Sequence, residues 1–176
     1  MNNLSEQAAA TPHQNSIRYI PLTQGKVAIV DASDFDWLSQ WKWFAHNQDG
    51  LWYAHRNQWS DGKHSIVLMH RAIMDAPAGI CVDHKNECGI DNRRSNLRLA
   101  NKQKNSCNRG PNATNKSGYK GVFWDKNSRK WQAQICAHGK RIYLGTFADK
   151  QHAALAYDAA AKKHHGEFAH LNMRDS

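Results

Sequence analysis

Ile80 to Arg109, ICVDHKNECGIDNRRSNLRLANKQKNSCNR, is the stretch whose reading decides the fold. Ile80-Cys81-Val82 is a short apolar run of strand character that ends in Asp83-His84. A polar loop follows, then Asn96-Leu97-Arg98-Leu99-Ala100 as a second short strand. Asn101 to Arg109 is polar enough for an exposed helix with Asn105 in its middle. Strand, strand and helix in this order predict a hairpin-plus-helix unit over residues 77–110, able to converge Asp83, His84 and Asn105 on one pocket.

Those three residue types suit phosphodiester hydrolysis. The reaction needs a base to activate water and a cation to neutralise charge on the phosphate and the leaving oxygen. An imidazole with a pKa of about 6.5 is largely neutral at physiological pH, which suits His84 to the base role. Asp83 and Asn105 offer hard oxygen ligands, which favour one divalent ion, Mg²⁺ or Mn²⁺, over zinc.

At this point the pattern resembles a known family. Val82-Asp83-His84-Lys85-Asn86 followed by Asp91-Asn92-Arg93-Arg94-Ser95-Asn96-Leu97-Arg98 is similar to the HNH homing and phage endonucleases, and the likeness reaches back through Leu68-Met69-His70-Arg71 to Ile20-Pro21-Leu22. The resemblance implies a ββα-metal fold with Asp83 and Asn105 as metal ligands and His84 as general base. It also makes Asn96 the middle asparagine that braces the hairpin loop and orients the base. Asn92 competes for that role, and Asn96 is preferred because Asn-Leu-Arg opens a strand. His70 reads as structural ahead of phosphate or metal contact, and Arg93, Arg94 and Arg98 as phosphate contacts. The family implies products with 5′-phosphate and 3′-hydroxyl ends.

Outward from this stretch the chain changes character. Residues 1–16 are polar, Ala-rich and aperiodic, and read as a disordered tail. Residues 17–76 read as a β-rich segment: Ile17–Leu22, Lys26–Val30, Trp41–His46, Leu51–Asn57 and His64–Met69 are strand-like, with Asp49-Gly50 and Asp61-Gly62 as hairpin turns. Ser33 and Asp36 suggest a capping box for a short helix to Ser39. Five of the seven tryptophans fall in this segment, where core and cross-strand packing is the expected use. Residues 111–117 read as a linker.

Residues 118–172 predict a three-stranded antiparallel sheet packed on one helix. Gly118–Asp125, Lys130–His138 and Lys140–Phe147 are the strands, His138-Gly139 is a tight turn, and Asp149 starts a helix that Gly166 ends. Alternation puts Val122, Trp124, Trp131, Ala133, Ile135, Ala137, Ile142 and Leu144 on the covered face, and Phe123, Gln132, Gln134, Cys136, Arg141 and Tyr143 on the open one. Gly118-Tyr119-Lys120-Gly121-Val122, Leu144-Gly145-Thr146-Phe147 and Ala169-His170-Leu171-Asn172 resemble the plant ethylene-response-factor (APETALA-type) DNA-binding domain. That resemblance implies a sheet laid in the major groove of duplex DNA, with Lys120, Arg141 and Tyr143 at contact positions. Phe123 and Asp125 replace arginines of the plant pattern. Gln132 and Gln134 are candidates for adenine edges or plain solvated strand residues, and Arg129 and Lys130 for phosphates.

Charge follows the same division. The formal charge is +9, yet residues 1–76 carry 6 Lys/Arg against 7 Asp/Glu, so the whole excess lies beyond them. Such a basic excess fits a polyanion partner. No apolar run spans a bilayer, residues 1–16 lack a signal-peptide core, and the four cysteines at 81, 88, 107 and 136 form no CxxC pair. The expectation is an α+β, cytoplasmic monomer in a bacterial or phage-infected cell, acting on double-stranded DNA with no obligate protein partner. Its predicted activity is a site-preferring nickase; the rivals are a non-catalytic transcriptional regulator on the same scaffold and an RNA-acting protein.

Overall fold

In the computed structural model, residues 16–173 are described, so the tail predicted over residues 1–16 lies, but for Ser16, outside them. The architecture is α+β, with several antiparallel sheets and four helices among the described residues. The chain forms two compact units: residues up to Asp75 together with Cys88–Leu97, and Ala76–Glu87 together with Arg98 onward. The expected hairpin over 77–110 is thus shared between them, its loop belonging to the first unit.

In the first unit, β1 (Ile17–Pro21) and β2 (Val27–Asp31) form an antiparallel hairpin, followed by α1 (Ala32–Leu38). A meander of β3 (Phe44–Gln48), β4 (Leu51–Ser60) and β5 (Lys63–Leu68) leads to α2 (Met69–Ile73). Both meander turns, Asp49-Gly50 and Asp61-Gly62, have positive φ at each residue. This is the twist a two-residue hairpin needs, and it explains why Gly stands second in each. Ile20, Ala28, Val30, Leu38, Trp43, Ala54 and Met69 are buried. Of the five tryptophans here only Trp43 is core; its indole N–H donates to Leu38 O at 2.8 Å. Trp59 instead lies exposed against its cross-strand partner His64. The capping box does not form: Asp31 is the N-cap of α1, and its carboxylate accepts from the Arg94 backbone N–H at 2.8 Å. That bond ties the Cys88–Leu97 loop to this unit, as do Ile29 N–H to Ile90 O (2.9 Å) and Asn92 N–H to Ile29 O (2.7 Å).

The second unit holds a two-stranded sheet of β6 (Cys81–His84) and β7 (Leu97–Ala100), then α3 (Lys102–Asn108), whose N-cap Asn101 accepts from Lys104 N–H. Next come β8 (Val122–Asp125), β9 (Lys130–Ala137) and β10 (Lys140–Phe147), an antiparallel sheet in the order β10-β9-β8. α4 (Lys150–His165) covers one face, capped by Asp149, whose carboxylate accepts from Gln151 and His152 N–H. Ala153, Ala154, Tyr157 and Ala161 are the buried apolar residues of α4, packed on Val122, Ala133 and Ile135. Ala156 and Ala160 pack at the margin of the same clusters, partly buried. Gly121 (φ +73) makes this packing possible, since a Cβ there would lie 2.2 Å from the Tyr157 ring. Residues 115–118 form a tight turn: Asn115 Oδ1 accepts from Ser117 and Gly118 N–H, and buried Ser117 donates its hydroxyl to Val122 O. β8 consequently starts at Val122, four residues later than predicted.

Candidate functional site

β6 ends in Asp83 and His84, both buried. Arg98 reaches Asp83 from β7: its Nε donates to Oδ2 at 2.7 Å and Nη2 lies 2.6 Å from the same oxygen. The Arg98 side chain is only 10% exposed, its Cζ over the Phe168 ring at 3.9 Å from the centroid and its Nη1 donating to Glu167 O. From α3, the Asn108 amide donates to Asp83 Oδ1 at 3.1 Å and to His84 O at 2.9 Å. Both carboxylate oxygens of Asp83 are therefore engaged, one by a cation and one by an amide. A buried carboxylate needs such partners, because an ion stripped of water is costly unless paired and hydrogen-bonded.

Asn105, expected beside Asp83, is one turn earlier on the same face of α3. It is half-buried, and among the described residues its side chain has no hydrogen-bond partner. The residue that grips the end of β6 is Asn108, which the sequence reading did not single out. Its signal was available as the i+3 neighbour of Asn105 on one helix.

In the first unit, Asn96 is buried and donates its amide to Asp91 O at 2.7 Å. Asn92 is fully buried, its amide donating to Met69 Sδ at 3.4 Å. His70 is likewise buried, edge-on to Tyr53. The three arginines expected on phosphates each pair with an aspartate. Arg93 clasps Asp91 (2.8 and 2.6 Å), Arg94 clasps Asp34 (both 2.7 Å), and Arg98 holds Asp83. A planar guanidinium matches a carboxylate bidentately, and each of these has an aspartate within reach. Both Arg93 and Arg94 are pushed further above their ordinary pKa by those side-chain bonds.

Lys120 also departs from expectation. Its ammonium donates to Ser106 O (3.2 Å), Cys107 O (2.7 Å) and Arg109 O (2.6 Å), the open carbonyls at the end of α3. All three donors are used, so this side chain caps the helix. Burial lowers its pKa. Asn172 fixes the same residue from the other side, accepting from Lys120 N–H at 2.7 Å and donating to Lys120 O at 3.1 Å.

The open face of the β8–β9–β10 sheet carries the remaining candidates. Arg129 and Lys130, at the β8–β9 turn, are exposed, as are Arg141 and Tyr143 on β10. Gln132 pairs with Phe123 on β8 and with Thr146 on β10; Gln134 pairs with Tyr143, and Cys136 with Arg141. The predicted inward set is buried or half-buried except Trp124, which leans on Trp131 at the sheet edge (centroids 5.2 Å apart). The cysteines are free thiols, and among the described residues no group of three or more His, Cys, Asp or Glu could hold a metal ion. No helix among them is long and apolar enough to cross a membrane.

Comparison with known proteins adds two likenesses of different reach. Residues 117–167 match the AP2 domain family. Over 60 residues the chain is 48% identical to dehydration-responsive element-binding protein 2D of Arabidopsis thaliana and 47% identical to its ethylene-responsive transcription factor ERF024. Each match covers 33% of this chain, and 29% and 33% of those proteins, so the chain spans about a third or less of the plant relatives. An uncharacterized HNH endonuclease, L560, of Acanthamoeba polyphaga mimivirus is 27% identical over 158 residues, 86% of this chain and 78% of the viral protein. No solved structure matches.

Proposed function

We propose that the chain is a metal-dependent DNA endonuclease, a site-preferring nickase of phage or mobile-element type, with β6, β7 and α3 as a ββα-metal cutting site and the β8–β9–β10 sheet as its DNA reader. The observation that carries this reading is the junction of α3 with the end of β6, where Asn108 binds Asp83 and the His84 carbonyl and Asn105 lies one turn away. The viral likeness supports it by running far outside the AP2 match.

The donor set fits a hard divalent ion. Asp83 and Asn105 would hold Mg²⁺ or Mn²⁺, with waters completing the shell. The Arg98 guanidinium against Asp83 Oδ2 marks the point where this carboxylate already accepts a cation, and it must yield that oxygen when a metal ligates there. When bound, the ion supplies charge neutralisation at the phosphate and the departing 3′ oxygen. His84 takes the proton from water for in-line attack, leaving 5′-phosphate and 3′-hydroxyl ends. Asn96 holds the loop that leads into β7. The reader keeps DNA near the cutting site, so each can be weak alone. One such site per chain fits nicking by a monomer acting where DNA is found in a bacterial or phage-infected cell.

The second reading is a DNA-binding transcriptional regulator without catalysis. It is favoured by the saturation of Asp83 and by the likeness to plant transcription factors. A supercoiled-plasmid nicking assay with Mg²⁺ separates the two. Wild type is expected to nick and His84→Ala to lose about a hundredfold or more, the scale of a general base. Equal cleavage by both proteins, or none by either, overturns the nuclease reading.

A further inference from the structure

We infer that the open face of the β8–β9–β10 sheet reads adenine, with Gln132 and Gln134 recognising two A·T base pairs separated by one intervening pair. This rests on the reading that the sheet meets duplex DNA, and adds to it which bases are read and by which residues.

Gln132 and Gln134 flank Ala133, which is fully buried beneath the sheet, so the two glutamines project from the opposite, open face. Among the described residues neither amide is engaged by another group. Each keeps an N–H donor and a carbonyl acceptor, the pair that matches adenine N7 and N6 in the major groove. Residues two apart on an antiparallel strand are about 6.8 Å apart, and bases two steps apart on one DNA strand are also about 6.8 Å apart. A strand running along the groove therefore brings the two amides to bases n and n+2.

The neighbours point the same way. Phe123 pairs with Gln132 and is 37% exposed, an apolar surface suited to a thymine methyl group. Tyr143, beside Gln134, shares a hydrogen bond with Thr146 across the β-bulge at Gly145, which restrains its ring on this face. The central positions Phe123, Gln132 and Gln134 carry no cation, so the commonest guanine contact, a bidentate Arg or Lys, is missing from the centre of the face. Positive charge stands at its ends instead: Arg129 and Lys130 at the β8–β9 turn, Arg141 beside Cys136. That arrangement assigns phosphates to the rim and base edges to the centre.

The test is selection of bound sequences by the full chain from a randomised duplex pool, in EDTA and at one fixed salt concentration. Wild type should enrich A·T at two positions two steps apart. Gln132→Ala should erase one of them and Gln134→Ala the other, each with a roughly 5- to 150-fold loss of discrimination against the wrong base. Gln132→Arg should turn its position from adenine to guanine. Circular dichroism melts identify any variant that fails to fold, and the wild-type profile alone still decides the spacing. Enrichment of G·C at these positions, or binding without sequence preference, overturns the inference and leaves DNA binding by the sheet intact. No binding to duplex DNA overturns both.

Discussion

Asn108 gives one amide to two acceptors, Asp83 Oδ1 and His84 O, whereas Asn105, a turn away, gives none. The two asparagines should therefore fail differently. Asn108→Ala strips a buried carboxylate and a backbone carbonyl of their donor and should cost about 1–3 kcal/mol in urea unfolding. Asn105→Ala removes no hydrogen bond among the described residues, so it should change stability by less than about 0.5 kcal/mol and lower Mg²⁺-dependent nicking. If Asn105→Ala nicks as wild type does, the metal falls to Asn108 or the nuclease reading fails. At this scale the sequence named chemistry more readily than partners. Arg93, Arg94 and Arg98 looked like phosphate contacts because their aspartate partners lie 2, 60 and 15 residues away, and no local pattern shows the two distant pairs.

Helix α4 on its sheet shows how an element can be legible while its seat is not. Small residues along α4 let it lie close on the sheet, but the glycine that receives it, Gly121, sits on a turn 36 residues before Tyr157. Gly121→Ala would drive a Cβ into the Tyr157 ring at a positive φ and should destabilise by about 2–4 kcal/mol, read from the urea midpoint at unchanged m. Tyr157 gives a pH signature as well. Burial, with smaller contributions from Cys107 and Asp158, raises its phenol above the ordinary value of 10.0. The folded state then holds its proton where the unfolded chain would release it, so this group's stabilisation is complete below pH 10 and is lost as pH rises beyond it. Tyr157→Phe should flatten the decline in stability measured above pH 10; an unchanged slope would place the alkaline sensitivity elsewhere. Two-residue turns were the most legible elements, since Asp49-Gly50, Asp61-Gly62 and His138-Gly139 have positive φ at both positions, as their sequences require.

Across the whole molecule, charge separates with the units. The first carries 8 Lys/Arg against 8 Asp/Glu and the second 16 against 7, so the entire +9 resides in the second. Duplex binding should accordingly weaken with salt through that unit alone. Arg129→Ala and Lys130→Ala should each reduce the log–log salt slope by about 1, while Lys120→Met, whose ammonium faces α3 carbonyls, should leave it unchanged. A slope reduced by Lys120→Met would show that lysine reaching DNA. By itself the sequence determined what short-range physics controls: strand alternation, turn chemistry, the helix capped by Asp149, and the residue types able to bind a metal or a base edge. The tertiary structure alone decided which side chains remain available. Lys120 became a helix cap, three arginines became ion pairs, and Asn108 rather than Asn105 took hold of Asp83. The reason is that a polar group's partner depends on what burial brings near it, and burial is set by contacts far apart in the chain.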